Sequence, residues 1–175
     1  MENHTDVIAY NPLTKIFHWL IALLVLTLLC VGFLLEKLPD IAYTMHKSFG
    51  LVVLALMICR ILWIRHVGRP VLPASMPQWE KFFAHLVQYS LYFFLVMMPI
   101  AGWMMSTASG HTPQFFGLFP LPCPGIVADK DLAAFMKEVH NTTAWIIIVL
   151  LFFHIFGALK HHFWDKDNVL KRMWF

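Results

Sequence analysis

The stretch His140–His154, HNTTAWIIIVLLFFH, decides how this chain must fold. Two histidines fourteen residues apart bracket a run that is almost wholly apolar. On an α-helix fourteen residues rise about 21 Å and return to within roughly 40° of the starting direction. Both imidazoles therefore leave one face of one helix, near opposite edges of a hydrocarbon layer about 30 Å thick. Ionisable side chains are costly at that depth, so they mark function by default. Two imidazoles stacked in this way suit two metal centres, one above the other.

The rest of the chain supplies the surroundings. It has 175 residues, 59% hydrophobic and 13% charged, with a mean hydropathy of +0.67. Soluble domains carry nearer a quarter charged residues. Four apolar helices are predicted to span a bilayer, at about residues 13–35, 42–64, 78–105 and 132–163. One all-α membrane domain, a four-helix bundle over residues 1–175, accounts for the chain. Glu2, Asp6 and the length of the first apolar run argue against a cleavable signal.

Lys and Arg set the expected orientation. Nine of them lie before the first span, around the link between the second and third, and after the fourth; four lie on the opposite side. The positive-inside rule then puts both termini in the cytoplasm. A net charge of +3 gives no reason to invoke nucleic acid. Cys30, Cys59 and Cys123 show no paired spacing, and the absence of C-x-x-C-H speaks against covalent c-type haem.

Local signals fill in the elements. Asn11-Pro12 reads as a helix cap with proline at the first position, and Asp40 and Asp129 read as caps of the second and fourth helices. Trp19 is an interfacial anchor. Gly32 lies fourteen residues after His18 on its face, and Gly50 one turn after His46. Both would let a bulky flat ligand approach the backbone. Pro99 and Gly102 should kink the third helix. Residues 106–130, with Phe115, Phe116 and Phe119, are expected to form a lid on the outer face.

Five histidines fall at membrane depth or its edge. By depth they sort into His46 and His140 at the outer level, and His18, His85 and His154 at the inner one. Two levels of paired imidazoles from different helices fit two b-type haems with two protein axial ligands each. Such a centre has no open position and moves electrons. A zinc site would gather four ligands at one level. The spans hold no Asp or Glu at histidine depth except Glu138 at the outer rim, which also speaks against an ion-coupled transporter.

At these residues a resemblance appears. Ile16-Phe17-His18-Trp19, His46-x-x-x-Gly50, Ala84-His85-Leu86, the histidine pair of the fourth helix and the run ALKHHFWDKDNxL from Ala158 to Leu170 resemble the bacterial cytochrome b561 family over nearly the whole chain. The resemblance implies axial pairs of His18 with His154 and of His46 with His140. It implies electron transfer of the membrane superoxide oxidase kind, from superoxide through two haems b to ubiquinone, with the quinone pocket at His161. His85 would then be spare, near the inner haem or the quinone. From depth, Arg60 and Lys160 would meet inner haem propionates, and Lys47 and Lys137 outer ones. More loosely, the chain resembles cytochrome b subunits of nickel hydrogenases and formate dehydrogenases. The alternative function is therefore an anchor subunit that relays electrons between a partner redox subunit and quinone. Six-span ascorbate-dependent proteins with the same family name differ in layout.

Overall fold

The computed structural model describes residues 9–174; Glu2 and Asp6 lie outside them. Four long helices dominate: α1 (Pro12–Leu34), α2 (Ile41–Val67), α3 (Gln78–Ala108) and α4 (Lys130–Phe163). All four are long and apolar enough to cross a membrane. The protein is a four-span membrane bundle in which α1 lies on α2, α2 on α3, and α3 on α4. At about 1.5 Å per residue α4 is roughly 50 Å long, more than the bilayer requires. Its ends therefore stand clear of the hydrocarbon on both sides.

The helix ends follow local chemistry. The Asn11 side chain accepts from the Leu13 N–H at 3.0 Å, ahead of Pro12. Asp129 accepts from the N–H groups of Asp131 and Leu132 at 2.9 and 3.0 Å. Asp40 differs from expectation. Its backbone is already helical, with φ −53° and ψ −29°, and its side chain makes no cap bond. Carbonyls supply the turn instead, Pro39 to Ala42 N–H at 2.8 Å and Asp40 to Tyr43 N–H at 3.1 Å. Gly68 ends α2 at φ +80°, a conformation costly for any residue with a Cβ.

A small apolar core of Ile21, Val25, Leu29, Val53, Met57 and Ile147 fills the bundle centre between the two histidine levels. Large apolar residues elsewhere, such as Leu23, Phe93 and Phe152, point outward, as the outer surface of a membrane bundle requires.

The link from α3 to α4 is an ordered cover. A short hairpin pairs β1 (Gln114–Phe115) with β2 (Phe119–Pro120). The buried Ser48 hydroxyl of α2 lies 2.7 Å from the Thr44 carbonyl and 3.2 Å from the Gln114 carbonyl, and accepts from the Phe116 N–H at 2.8 Å. The Trp103 indole N–H donates to the Leu121 carbonyl at 2.8 Å. Phe116 packs edge-on against Phe49. Those contacts tie the cover to the ends of α2 and α3.

At the other end Tyr10 and Lys15 meet the C-terminal tail around residues 172–174. The Tyr10 N–H donates to the Arg172 carbonyl at 3.2 Å. The Lys15 ammonium donates to the Trp174 carbonyl at 2.7 Å and the Trp19 indole to the Met173 carbonyl at 2.9 Å. Trp19 thus anchors the C-terminal tail.

Candidate haem and quinone sites

The bundle brings the four paired histidines together across helices. His18 of α1 faces His154 of α4, with ring centroids 6.0 Å apart and planes at 64°. His46 of α2 faces His140 of α4, with centroids 6.4 Å apart and planes at 74°. A metal ion sits about 2 Å from an imidazole nitrogen, and the nitrogen lies roughly 1 Å from the ring centre. Two rings on opposite sides of one ion therefore have centroids roughly 6 Å apart. Both pairs have that spacing. The family model of prokaryotic cytochrome b561 matches residues 9–175.

The chain belongs to the prokaryotic cytochrome b561 family. It is 34% identical over 174 residues to cytochrome b561 homolog 2 of Escherichia coli (strain K12), covering 94% of this chain and 90% of the relative. It is 31% identical over 169 residues to the probable superoxide oxidase CybB of Yersinia pestis, covering 94% of each. Cytochrome b561 homolog 1 of E. coli (strain K12) is 30% identical over 128 residues, with 73% of this chain and 72% of the relative covered. This cytochrome b561 is thus a membrane electron-transfer protein that binds haem b.

The outer histidine pair is built from tight local packing. His140 Nδ1 lies 3.0 Å from the Met98 carbonyl, so Nδ1 carries the proton and Nε2 is left for a metal. A Cβ on Gly102 would meet the His140 ring at 3.0 Å, and a Cβ on Gly32 would meet the His46 ring at 3.2 Å. Both glycines therefore make room for an imidazole, where the sequence suggested room for a ligand beside Gly32. Gly50 does open onto space: it lines a cavity between His46 and His140 together with Val53 and Leu95.

The inner pair lies next to a buried cation. Arg60 is 5% exposed, and the bond found for its guanidinium is to the Thr14 carbonyl at 3.4 Å. Thr14 is one turn before His18 on α1. Among the described residues no carboxylate pairs with Arg60. Thr14 Oγ1 and Trp63 Nε1 are also buried without partners among the described residues, and Trp63 is one turn along α2 from Arg60. A guanidinium has five N–H donors, and buried charges are normally paired. A haem carboxylate beside the inner pair fits this unsatisfied set. Thr14 and Trp63 were missed in the sequence because neither residue type signals an anion.

The other basic candidates are differently engaged. The Lys160 ammonium already pairs with Glu80 at 2.7 Å and Asp165 at 2.9 Å. The Lys47 ammonium donates to the His111 carbonyl of the outer cover at 3.2 Å. Lys137 is exposed on α4. His85 is exposed on α3 and stacks on Tyr89 at 6.0 Å.

His161 is 9% exposed and enclosed by carboxylates. Its Nδ1 lies 2.7 Å from Asp167 and 3.0 Å from Asp165, and its Nε2 is 3.8 Å from Glu80. Glu80 was not foreseen as a partner of His161. It sits in the first turn of α3, and the packing of α3 on α4 carries it to His161. Glu80, His161 and Asp165 are close enough to hold a cation. The Lys160 ammonium already pairs with both of those carboxylates.

Proposed function

We propose that this protein carries single electrons from superoxide at the outer membrane face to ubiquinone at the cytoplasmic face. Two haems b, held by His46 with His140 and by His18 with His154, would supply reversible one-electron chemistry on the way. The observation that carries this reading is the stacking of two imidazole pairs at metal-bridging distance, 6.4 and 6.0 Å, with α4 contributing one ring to each. The likeness to a probable superoxide oxidase supports the choice of donor.

The stoichiometry is simple. Two superoxide ions give up one electron each and leave as O₂. One ubiquinone takes both electrons and two protons and becomes ubiquinol. His161 serves the quinone end. Its Nδ1–H donates to Asp167, and in the imidazolium form its Nε2–H donates to a quinone carbonyl. Glu80 and Asp165 flank the ring and give protons a route from the cytoplasm. At the outer end Lys47 and Lys137 provide positive charge near His46 and His140. The orientation is the one the Lys and Arg distribution requires, with both termini cytoplasmic in a bacterial inner membrane. Residues 1–175 act as one domain.

Stopped-flow mixing of the oxidised protein with superoxide tests the reading. The haem bands should reduce within the mixing experiment and reoxidise on addition of ubiquinone. The reduction rate should fall with ionic strength and with Lys47→Gln plus Lys137→Gln. Haems reduced only by a co-purifying dehydrogenase or hydrogenase would replace this reading with that of an anchor subunit.

A further inference from the structure

A cleft of about 500 Å³ opens on the flank of the bundle between α2 and α3, away from the histidine pairs. Its walls carry Arg65, Arg69, Tyr89 and Tyr92 at one end and Met97 and Ile100 at the other. Ile100 is eleven residues beyond Tyr89 on α3, about 16 Å along the helix. The cleft is thus polar and cationic at the membrane edge and apolar toward the bilayer middle.

Its polar end is a prepared anion site. Arg65 is exposed at the mouth, and among the described residues no carboxylate pairs with it or with Arg69. The Arg69 guanidinium is held in place without being neutralised. It donates to the Gln88 side-chain oxygen at 3.2 Å, and lies 5.0 and 5.3 Å from the ring centres of Tyr89 and Tyr92. The Tyr92 hydroxyl is buried and has no partner among the described residues. Such a donor at the edge of hydrocarbon costs free energy unless something accepts from it.

We infer that this cleft binds an anionic phospholipid of the cytoplasmic leaflet, its phosphate between Arg65 and Arg69 and one acyl chain along Met97 and Ile100. Basic pockets between spans recognise anionic headgroups in this way. The two cations distinguish this occupant from a quinone, whose head is neutral. The length of the apolar wall distinguishes it from free phosphate.

Native mass spectrometry of the haem-loaded protein tests the inference. The protein is released from a mild detergent with equimolar phosphatidylglycerol and phosphatidylcholine of matched chains. The wild type should retain phosphatidylglycerol in clear preference. Arg65→Gln with Arg69→Gln should reduce that preference by roughly fivefold per arginine. Ile100→Trp, which fills the tail end and leaves the charges, should lose both lipids. The haem spectrum should be unchanged in each variant, so the result is independent of the electron-transfer reading. If the double variant does not fold, the exposed Arg65→Gln alone carries the test. Equal retention of the two lipids by the wild type would overturn the inference. So would unchanged preference in the arginine variants, or displacement of the lipid by equimolar short-chain ubiquinone.

Discussion

Gly102 stands against the imidazole of His140: a Cβ at Gly102 would lie 3.0 Å from both Cε1 and Nδ1 of that ring. The ring is also fixed through Nδ1 by the Met98 carbonyl at 3.0 Å. Its Nδ1 edge is thus held close against one face of α3. Gly102→Ala should therefore turn the ring and weaken the outer haem site, and Gly102→Val should empty it. Haem content by pyridine haemochrome, with the inner haem as internal reference, checks this. Full outer haem in the valine variant would show that the ring has freedom the packing denies it.

Haem stoichiometry tests the ligand set directly. The purified protein should carry about two haems b, one for each histidine pair. His46→Ala or His140→Ala should remove the outer haem alone, and His18→Ala or His154→Ala the inner one. Four single variants that all keep full haem would refute the assignment.

Arg60 is a buried positive charge beside the inner pair, and positive charge favours the reduced form of a nearby redox centre. Arg60→Gln should lower the inner midpoint potential by on the order of 50 mV, the size expected for one charge acting through an effective dielectric of about 20. It should also loosen the inner haem. A potentiometric titration that left the lower and upper midpoints unmoved would place the haem carboxylates elsewhere.

Asp167 holds His161, the residue proposed to meet the quinone. Asp167→Asn keeps the shape and removes the charge, so quinone-driven reoxidation of the reduced haems should slow about tenfold and its pH profile should move. His161→Ala should slow it further, and both haems should stay bound in each variant. Wild-type reoxidation in His161→Ala would move the quinone site.

Cys123 reports on orientation. It lies in the outer cover, half-buried, whereas Cys30 and Cys59 lie within α1 and α2. Burial raises the Cys123 thiol above its ordinary range. The thiolate is the reactive form, so a membrane-impermeant maleimide should label it slowly near pH 7 and faster as pH rises toward the raised value. Labelling should occur in spheroplasts and fail in sealed inside-out vesicles. The reverse pattern would invert the topology.

Four spans, their bounds to within three residues, and the two depths of histidine were legible in the sequence. Apolar runs of bilayer length report burial in lipid whatever their neighbours are. The fourteen-residue spacing in α4 fixes two side chains on one face by helix geometry alone. Asn11 and Asp129 were readable as caps for the same local reason. Asp40 was not, because adjacent carbonyls take over the turn and leave its side chain no N–H to bind.

What the tertiary structure alone decided concerns groups distant in sequence. From depth the inner level held three histidines, and it is the assembled bundle that sets His18 of α1 against His154 of α4 while leaving His85 exposed beside Tyr89. Glu80 reaches His161 across eighty-one positions only because α3 runs beside α4. The lack of a carboxylate partner for Arg60 among the described residues and the room Gly102 leaves for His140 are likewise properties of the packed bundle. Helical periodicity specifies which face and which depth a side chain occupies. It does not specify which helix that face will meet, since lipid-facing and helix-facing surfaces are equally apolar and only close packing and polar contacts distinguish them.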